Sequence, residues 1–240
     1  MKLTKLIPAF LITFILFNLT ACSNDEISND GNVALKAKAS FNSTSSKDNT
    51  QRKNQATITI TSFKINLREI EFEVDDDDDL NEDLYTKLEL EGPFELDLSS
   101  GNTTISITST SIPNNVYDEI EFDLYKSTDP DSDMYEKSIQ IKGEIDGTPF
   151  IFWHDMMDEF EVDFSNNLVD IIVDGSTTNI TIDFDLSIIF GATSSIDFSL
   201  ATDNNGDGLI EIHPNDEDGN RDLADFIKNL LKESADLLDD

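Results

Sequence analysis

Apolar and polar residues alternate with period two along most of the chain, and that alternation predicts a β protein. Val33, Leu35, Ala37, Ala39 and Phe41 alternate with Lys36, Lys38 and Ser40, giving a first strand. Between Thr57 and Val74 the signal is strongest but changes phase twice. Ile58 and Ile60 share one parity, Phe63, Ile65 and Leu67 the other, and Ile70, Phe72 and Val74 return to the first. Residues two apart share a face, so each change predicts a bulge or a corner between sheets. Further strands are predicted at 94–98, 105–107, 120–124, 139–145, 150–152, 160–164, 171–173, 180–186, 196–200 and 210–212, with Asp146-Gly147 as a hairpin turn. Many short strands joined by turns predict an all-β fold, an antiparallel β-sandwich of immunoglobulin-like or transthyretin-like type. Only the end reads as helix. From 221 to about 238, Leu223, Phe226, Ile227, Leu230, Leu231, Leu237 and Leu238 leave one apolar stripe, with Asn220 as N-cap and Asp222 in the first turn.

The first residues follow another pattern. Lys2 and Lys5 precede an almost unbroken apolar run from Leu6 to Leu19, and small Ala21 precedes Cys22. This is the order of a secretory signal, and its apolar core is shorter than the roughly 20 residues a spanning helix needs. Leu19-Thr20-Ala21-Cys22 resembles a lipobox, which implies cleavage before Cys22 and a lipid anchor on its thiol. Two or three acyl chains are expected, because one chain holds a protein only marginally. The chain has one cysteine, so the mature fold has neither an internal disulfide nor a cysteine nucleophile. The expected division is a signal peptide at 1–21, a lipidated polar tether at 22–32 and a single β-sandwich domain at 33–240. The tether of about ten residues reaches at most roughly 35 Å. Residues 42–55 read as a long polar loop, and a reading of 23–55 as one linker stays open.

Ser23-Asn24-Asp25-Glu26 resembles the short acidic tag behind the lipidated cysteine of surface-exposed lipoproteins of the Bacteroidota type. The Gly-Pro-Phe-x-Leu-x-Leu stretch from Gly92 to Leu98, and the Ser-Ile-Pro segment leading to Tyr117, are similar to the β-sandwich lipoproteins of that group. The resemblance implies a β-sandwich at the outer membrane, on its periplasmic face or the cell surface. Its motifs are structural and carry over no catalytic residues.

Composition then narrows the partners. The chain holds 50 acidic and 16 basic residues, and losing 1–21 removes two of the lysines, for a mature net charge of −36. Such a charge excludes nucleic acid and adsorption on an anionic bilayer, while divalent cations and basic partners remain admissible. Asp75 to Asp79 repel one another too strongly for a strand and read as a solvated loop. Glu95, Asp97, Glu119, Glu121, Asp123, Glu159, Glu161, Asp163, Asp183 and Asp185 all occupy outward phases. If their strands were neighbours the face would be a carboxylate array, and since opposed like charges destabilise a sheet, dispersal over two sheets is expected.

The sharpest candidate site is Asp203-Asn204-Asn205-Gly206-Asp207-Gly208-Leu209-Ile210-Glu211. Oxygen ligands at alternate positions let a short loop wrap a hard cation, and a glycine at the sixth position permits the tight turn. Asp203, Asn205, Asp207 and Glu211 would offer side-chain oxygens and Leu209 its carbonyl to calcium. The loop resembles the first half of an EF-hand loop and departs from it at the twelfth position, which is Pro214. The same residues also suit a plain turn. Trp153 and His154 form a second candidate, a platform for a glycan or protein ligand. His213 is remote, and two histidines alone do not make a zinc site. No His-Glu-x-x-His, Gly-x-Ser-x-Gly or phosphate loop is present. The leading expectation is therefore a non-enzymatic binding or adhesion module, with an envelope assembly subunit as the alternative. A carboxylate-dependent glycan hydrolase comes last.

Overall fold

A computed structural model describes residues 30–41, 56–73, 87–117, 119–162 and 171–239. The lipobox with Cys22, the tether before Asp30, the loop at 42–55 and the run Asp75 to Asp79 lie outside them. The strands are β1 (Asp30–Ser40), β2 (Ile58–Glu73), β3 (Lys87–Asp97), β4 (Ile105–Pro113), β5 (Asn115–Tyr117), β6 (Glu119–Leu124), β7 (Ile139–Ile145), β8 (Thr148–His154), β9 (Glu159–Val162), β10 (Ile171–Val173), β11 (Thr177–Asp185), β12 (Ile210–Ile212) and β13 (Ala235–Asp239). Two helices, α1 (Ser187–Phe190) and α2 (Arg221–Lys232), complete the set. Among the described residues no helix is long and apolar enough to cross a membrane.

The fold is all-β. One sheet runs β13-β11-β1-β4, a second runs β12-β8-β7-β2-β6-β9 with β3 also on β2, and β5 pairs with β10 in a short ribbon. Inward residues of the two large sheets share one core. Phe63 on β2 meets Phe184 on β11 edge to face at 5.5 Å, and Phe72 meets Tyr117 at 5.8 Å. Each such ring buried fully is worth about 1.5–3 kcal/mol.

The two phase changes in β2 appear as bulges. Its register shifts between Ile60 and Ser62 against β7, and between Leu67 and Glu69 against both β3 and β6. β6 and β7 lie end to end along one edge of β2 and act as a single strand interrupted by residues 125–138. Asn66 marks the interruption. Its N–H donates to Ser138 O at 2.8 Å, its carbonyl accepts from Tyr125 N at 3.2 Å, and its amide donates to Tyr125 O at 2.7 Å. The excursion is fastened by fully buried Met134 and by Lys64 Nζ on Asp133 Oδ1 at 2.8 Å. The Lys64 hydrogen bond holds the Asp133 carboxyl below the usual carboxylate range. The expected hairpin turn is present, with Asp146 at φ 51° and Gly147 at φ 85°.

Four expectations change. Two pairings, β1 with β11 and β12 with β8, are parallel, because long crossovers return each partner in the same direction. Residues 196–200 are not a strand. The Asp197 carboxylate accepts from Ser199 N at 3.1 Å and winds Phe198–Leu200 into a 3-10 turn. α2 stops at Lys232, since Ser234 Oγ donates to Leu231 O at 2.7 Å and the chain turns into β13. Leu237 and Leu238 thus lie on a strand against β11. Asn220 makes no side-chain cap, and the Arg221 N–H donates instead to Asp216 Oδ1 at 2.9 Å.

Candidate cation loop and carboxylate face

Residues 203–219 form a loop that leads into β12 and returns to α2. Asp203 starts it as an acceptor for successive backbone N–H groups. Gly206 N and Asp207 N donate to its Oδ1 at 2.7 and 3.2 Å, and Gly208 N to its Oδ2 at 2.9 Å. Asn205 Oδ1 and Asp207 Oδ1 each accept the N–H two residues on, both at 2.9 Å. Winding this tightly requires left-handed backbone, which Gly206 (φ 78°) and Gly208 (φ 90°) supply without strain.

The group that organises the loop is Asp218, which lies beyond the Asp203–Glu211 ligand pattern. It is fully buried. Its Oδ1 accepts from Asn204 N and Asn205 N at 3.1 Å each, and its Oδ2 from Glu211 N at 2.8 Å. Three charge-assisted bonds satisfy a carboxylate that burial alone would expel. Asn220 adds a second tie, donating to Thr202 O at 2.7 Å and Glu211 O at 2.8 Å. Asp203, Asn205, Asp207, Leu209 and Glu211 are therefore brought to one turn. Asp203, Asp207 and Glu211 do not form a group with ligand atoms all within 4.8 Å of one another. Glu211 Oε2 instead accepts from Asn205 Nδ2 at 3.2 Å. A cation held by Asp203, Asp207 and Glu211 together would have to replace that hydrogen bond.

Beside the loop, His213 is buried and stacks on Trp153, with centroids 4.7 Å apart and planes at 19°. Its Nδ1 accepts from Asn215 N at 3.2 Å, which puts the ring hydrogen on Nε2, facing Glu211 Oε1 at 3.7 Å and Glu217 Oε2 at 3.9 Å. Ligand atoms of Glu211, His213 and Glu217 lie within 4.8 Å of one another. A metal on Nε2 would force hydrogen onto Nδ1, against the Asn215 N–H, which disfavours zinc at this trio. Burial, then Glu217, raises the Glu211 carboxyl above its ordinary value.

Trp153 and His154 do not form one platform, because neighbours on a strand face opposite sides. Trp153 joins the loop through His213. His154 is buried beneath α2, with Nε2 3.8 Å from Asp225 Oδ1. Burial, then Lys228, depresses its pKa, and its Nδ1 has no hydrogen-bond partner. A groove of about 450 Å³ opens on the other side of the loop, lined by Ile196, Leu200, Asn220, Leu223 and Phe226 among others.

The carboxylates are not dispersed. β3, β2, β6 and β9 are consecutive neighbours, and their register lines up two rows, Glu89–Glu71–Glu121–Glu161 and Glu91–Glu69–Asp123–Glu159. Among the described residues, Asp183 and Asp185 lie on the other sheet, where Lys38 pairs with Asp183 at 3.5 Å, and Asp163 lies outside the described residues. Arg68, the residue skipped at the second bulge, forms a salt bridge with Asp123 and approaches Glu69 at 3.9 Å. Burial, then Glu73 and Glu71, raises the Glu121 carboxyl. Neither a family model, nor a curated protein, nor a solved structure matches this chain.

Proposed function

We propose that the chain is a lipid-anchored, non-enzymatic binding module of the bacterial outer envelope, held through Cys22 and stabilised by calcium in the loop 203–211. The lipobox and the acidic tag, which resemble those of Bacteroidota surface lipoproteins, support the anchor. The observation that carries the cation is the turn itself. Its backbone already wraps the Asp203 carboxylate, with Asn205 and Asp207 at alternate positions and two glycines in left-handed conformation. Calcium would offset two of the three negative charges of Asp203, Asp207 and Glu211, while Asp218 holds the backbone from behind. The groove between Leu200 and Phe226, which are 73% and 43% exposed, offers the module an apolar contact surface beside the same loop.

Thermal melting with calcium and then chelator tests the site. Extracellular modules bind calcium with dissociation constants of about 10⁻⁴–10⁻³ M. At tenfold excess over such a constant, mass action adds about 1.4 kcal/mol. For a domain of this size that raises the Tm by about 3–5 °C. Glu211→Gln should lose most of the rise and keep the fold. No shift, with no calcium detected by titration calorimetry, removes the cation from the proposal.

A second reading, an envelope assembly subunit, is favoured by β4. It is an edge strand among the described residues, nine residues long, with the uncharged sequence ISITSTSIP. An unguarded edge is a template for strand addition. Hydrogen exchange of the β4 amides tests it, because equal exchange in the envelope and in the purified chain excludes an added strand.

A further inference from the structure

The chain enters the described structure at Asp30, at one end of β1. There the backbone of Gly31 passes so close to β10 that a Cβ would stand 2.4 Å from Val173 Cγ1 and 3.0 Å from Asn114 Oδ1. The β5–β10 ribbon therefore lies beside the point where the tether arrives. Its rungs are Tyr117 with Ile171, Val116 with Ile172, and Asn115 with Val173. Tyr117, Ile171 and Val173 are buried, and the Tyr117 hydroxyl donates to Pro113 O at 3.0 Å, so the ribbon is pinned to the core. Strand alternation then turns Val116 and Ile172 outward, directly opposite each other, 43% and 61% exposed.

The surroundings suit an apolar contact. No charged residue occurs between Ser99 and Tyr117, in a chain with 66 of them. Among the described residues Asp30 and Asp174 border the patch, and the Asp174 carboxylate is turned back onto Ser176 N at 3.2 Å; Asp118 and Asp170, next to the two strands in sequence, lie outside the described residues. The other end of the sandwich is remote. Asp185, where α1 and then the cation loop follow, pairs with Ser40, ten residues and about 33 Å along β1 from Asp30.

We infer that Val116 and Ile172 are the membrane-facing contact of the protein, resting in the interfacial layer of the bilayer that holds the Cys22 anchor. The inference rests on the anchor proposed above. Seven residues lie between Cys22 and Asp30, and the eight steps reach at most about 28 Å. Two apolar side chains are too few to bind a bilayer from solution. The tether keeps their effective concentration high, so a weak contact sets the resting orientation. It leaves the loop 203–211 and the Leu200–Phe226 groove facing away from the membrane.

The test uses the full chain, matured in a bacterial host and reconstituted in phosphatidylcholine vesicles. Trp153→Phe removes the one native tryptophan, and reporters are placed at Ile172→Trp, at Val116→Trp and, at the far end, at Leu200→Trp. The expected result is at least a twofold loss of emission on adding brominated lipid for the first two and none for the third. Mass analysis reads Cys22 in each preparation. An acylated Cys22 with quenching at 172 and 116 no greater than at 200 overturns this contact and leaves the anchor standing. An unmodified Cys22 overturns the anchor and the contact with it. A blue-shifted, unquenched Ile172→Trp in a particle of doubled mass assigns the patch to a second copy and also overturns the proposal.

Discussion

Glu121 is the residue whose removal should help most. It stands at the centre of a carboxylate row, directly opposite Glu71 on β2 and Glu161 on β9, with Glu73 and Glu159 on the diagonals. Two unit charges about 6 Å apart in water repel by about 0.7 kcal/mol. Two direct neighbours and two more distant ones sum to about 2 kcal/mol, and screening at physiological salt, with a Debye length of about 8 Å, roughly halves it. Cross-strand pair measurements of about 0.2–1 kcal/mol each bracket the same value. Glu121→Gln should therefore stabilise the protein by about 1 kcal/mol at pH 7, a Tm rise of about 2–4 °C for this size. The sign with pH follows from linkage. A carboxyl whose folded pKa is raised favours folding at pH below its unfolded value of about 4.3 and loses that contribution as pH rises through the folded value. The advantage of the variant should thus be full at neutral pH and vanish near pH 4. Urea unfolding of both proteins at pH 7 and 4, in 20 and 500 mM salt, measures it. A variant no more stable than the parent at pH 7 and low salt, or a gain that high salt leaves unchanged, would refute the repulsive row.

Asp218→Asn keeps the shape but turns an amide N–H toward a backbone donor that the carboxylate now accepts. It should cost about 3 kcal/mol in urea unfolding, the scale of a lost charge-assisted bond plus an unsatisfied donor, and an unchanged midpoint would remove Asp218 as the organiser of the loop. His154 carries a depressed pKa in the folded state, so unfolded chains take up its proton first. Its contribution to stability is present above about pH 6.5 and is lost as pH falls through the folded value. His154→Phe should flatten the guanidinium midpoint between pH 7.5 and 5.5, and an unaltered slope would show that another group titrates there.

What the sequence revealed depended on the range of the interaction. The breaks in β2 were legible because alternation is local, and a lost beat between Ile60 and Phe63 means a bulge or a corner, which the register against β7 shows to be a bulge. Asp146-Gly147 and the glycines of the 203–211 loop were legible because left-handed backbone selects its residues. Leu237 and Leu238 read as helix because their spacing continues the apolar stripe, and the turn at Ser234 that puts them on a strand leaves no local mark in that spacing. The role of Asp218 depends on N–H groups 7, 13 and 14 residues away, which no local pattern announces. The carboxylate rows required knowing which strands are neighbours. Each strand alone is an ordinary half-buried one, and only the topology turns four of them into rows.

The break at Asn66 makes the molecule modular in length. Since one residue bonds both Tyr125 and Ser138, the two ends of the excursion already stand a single rung apart, and the β2 register does not depend on what lies between. A short turn in place of 126–137 would leave β6 and β7 end to end on the same edge of β2, and a longer insertion would leave the same two neighbours on the same rung. Chain length can change there without shifting the β2 register, although a replacement must cover what Met134 buries and forgoes the Lys64–Asp133 pair. The position is thus a natural port for adding or exchanging a surface element.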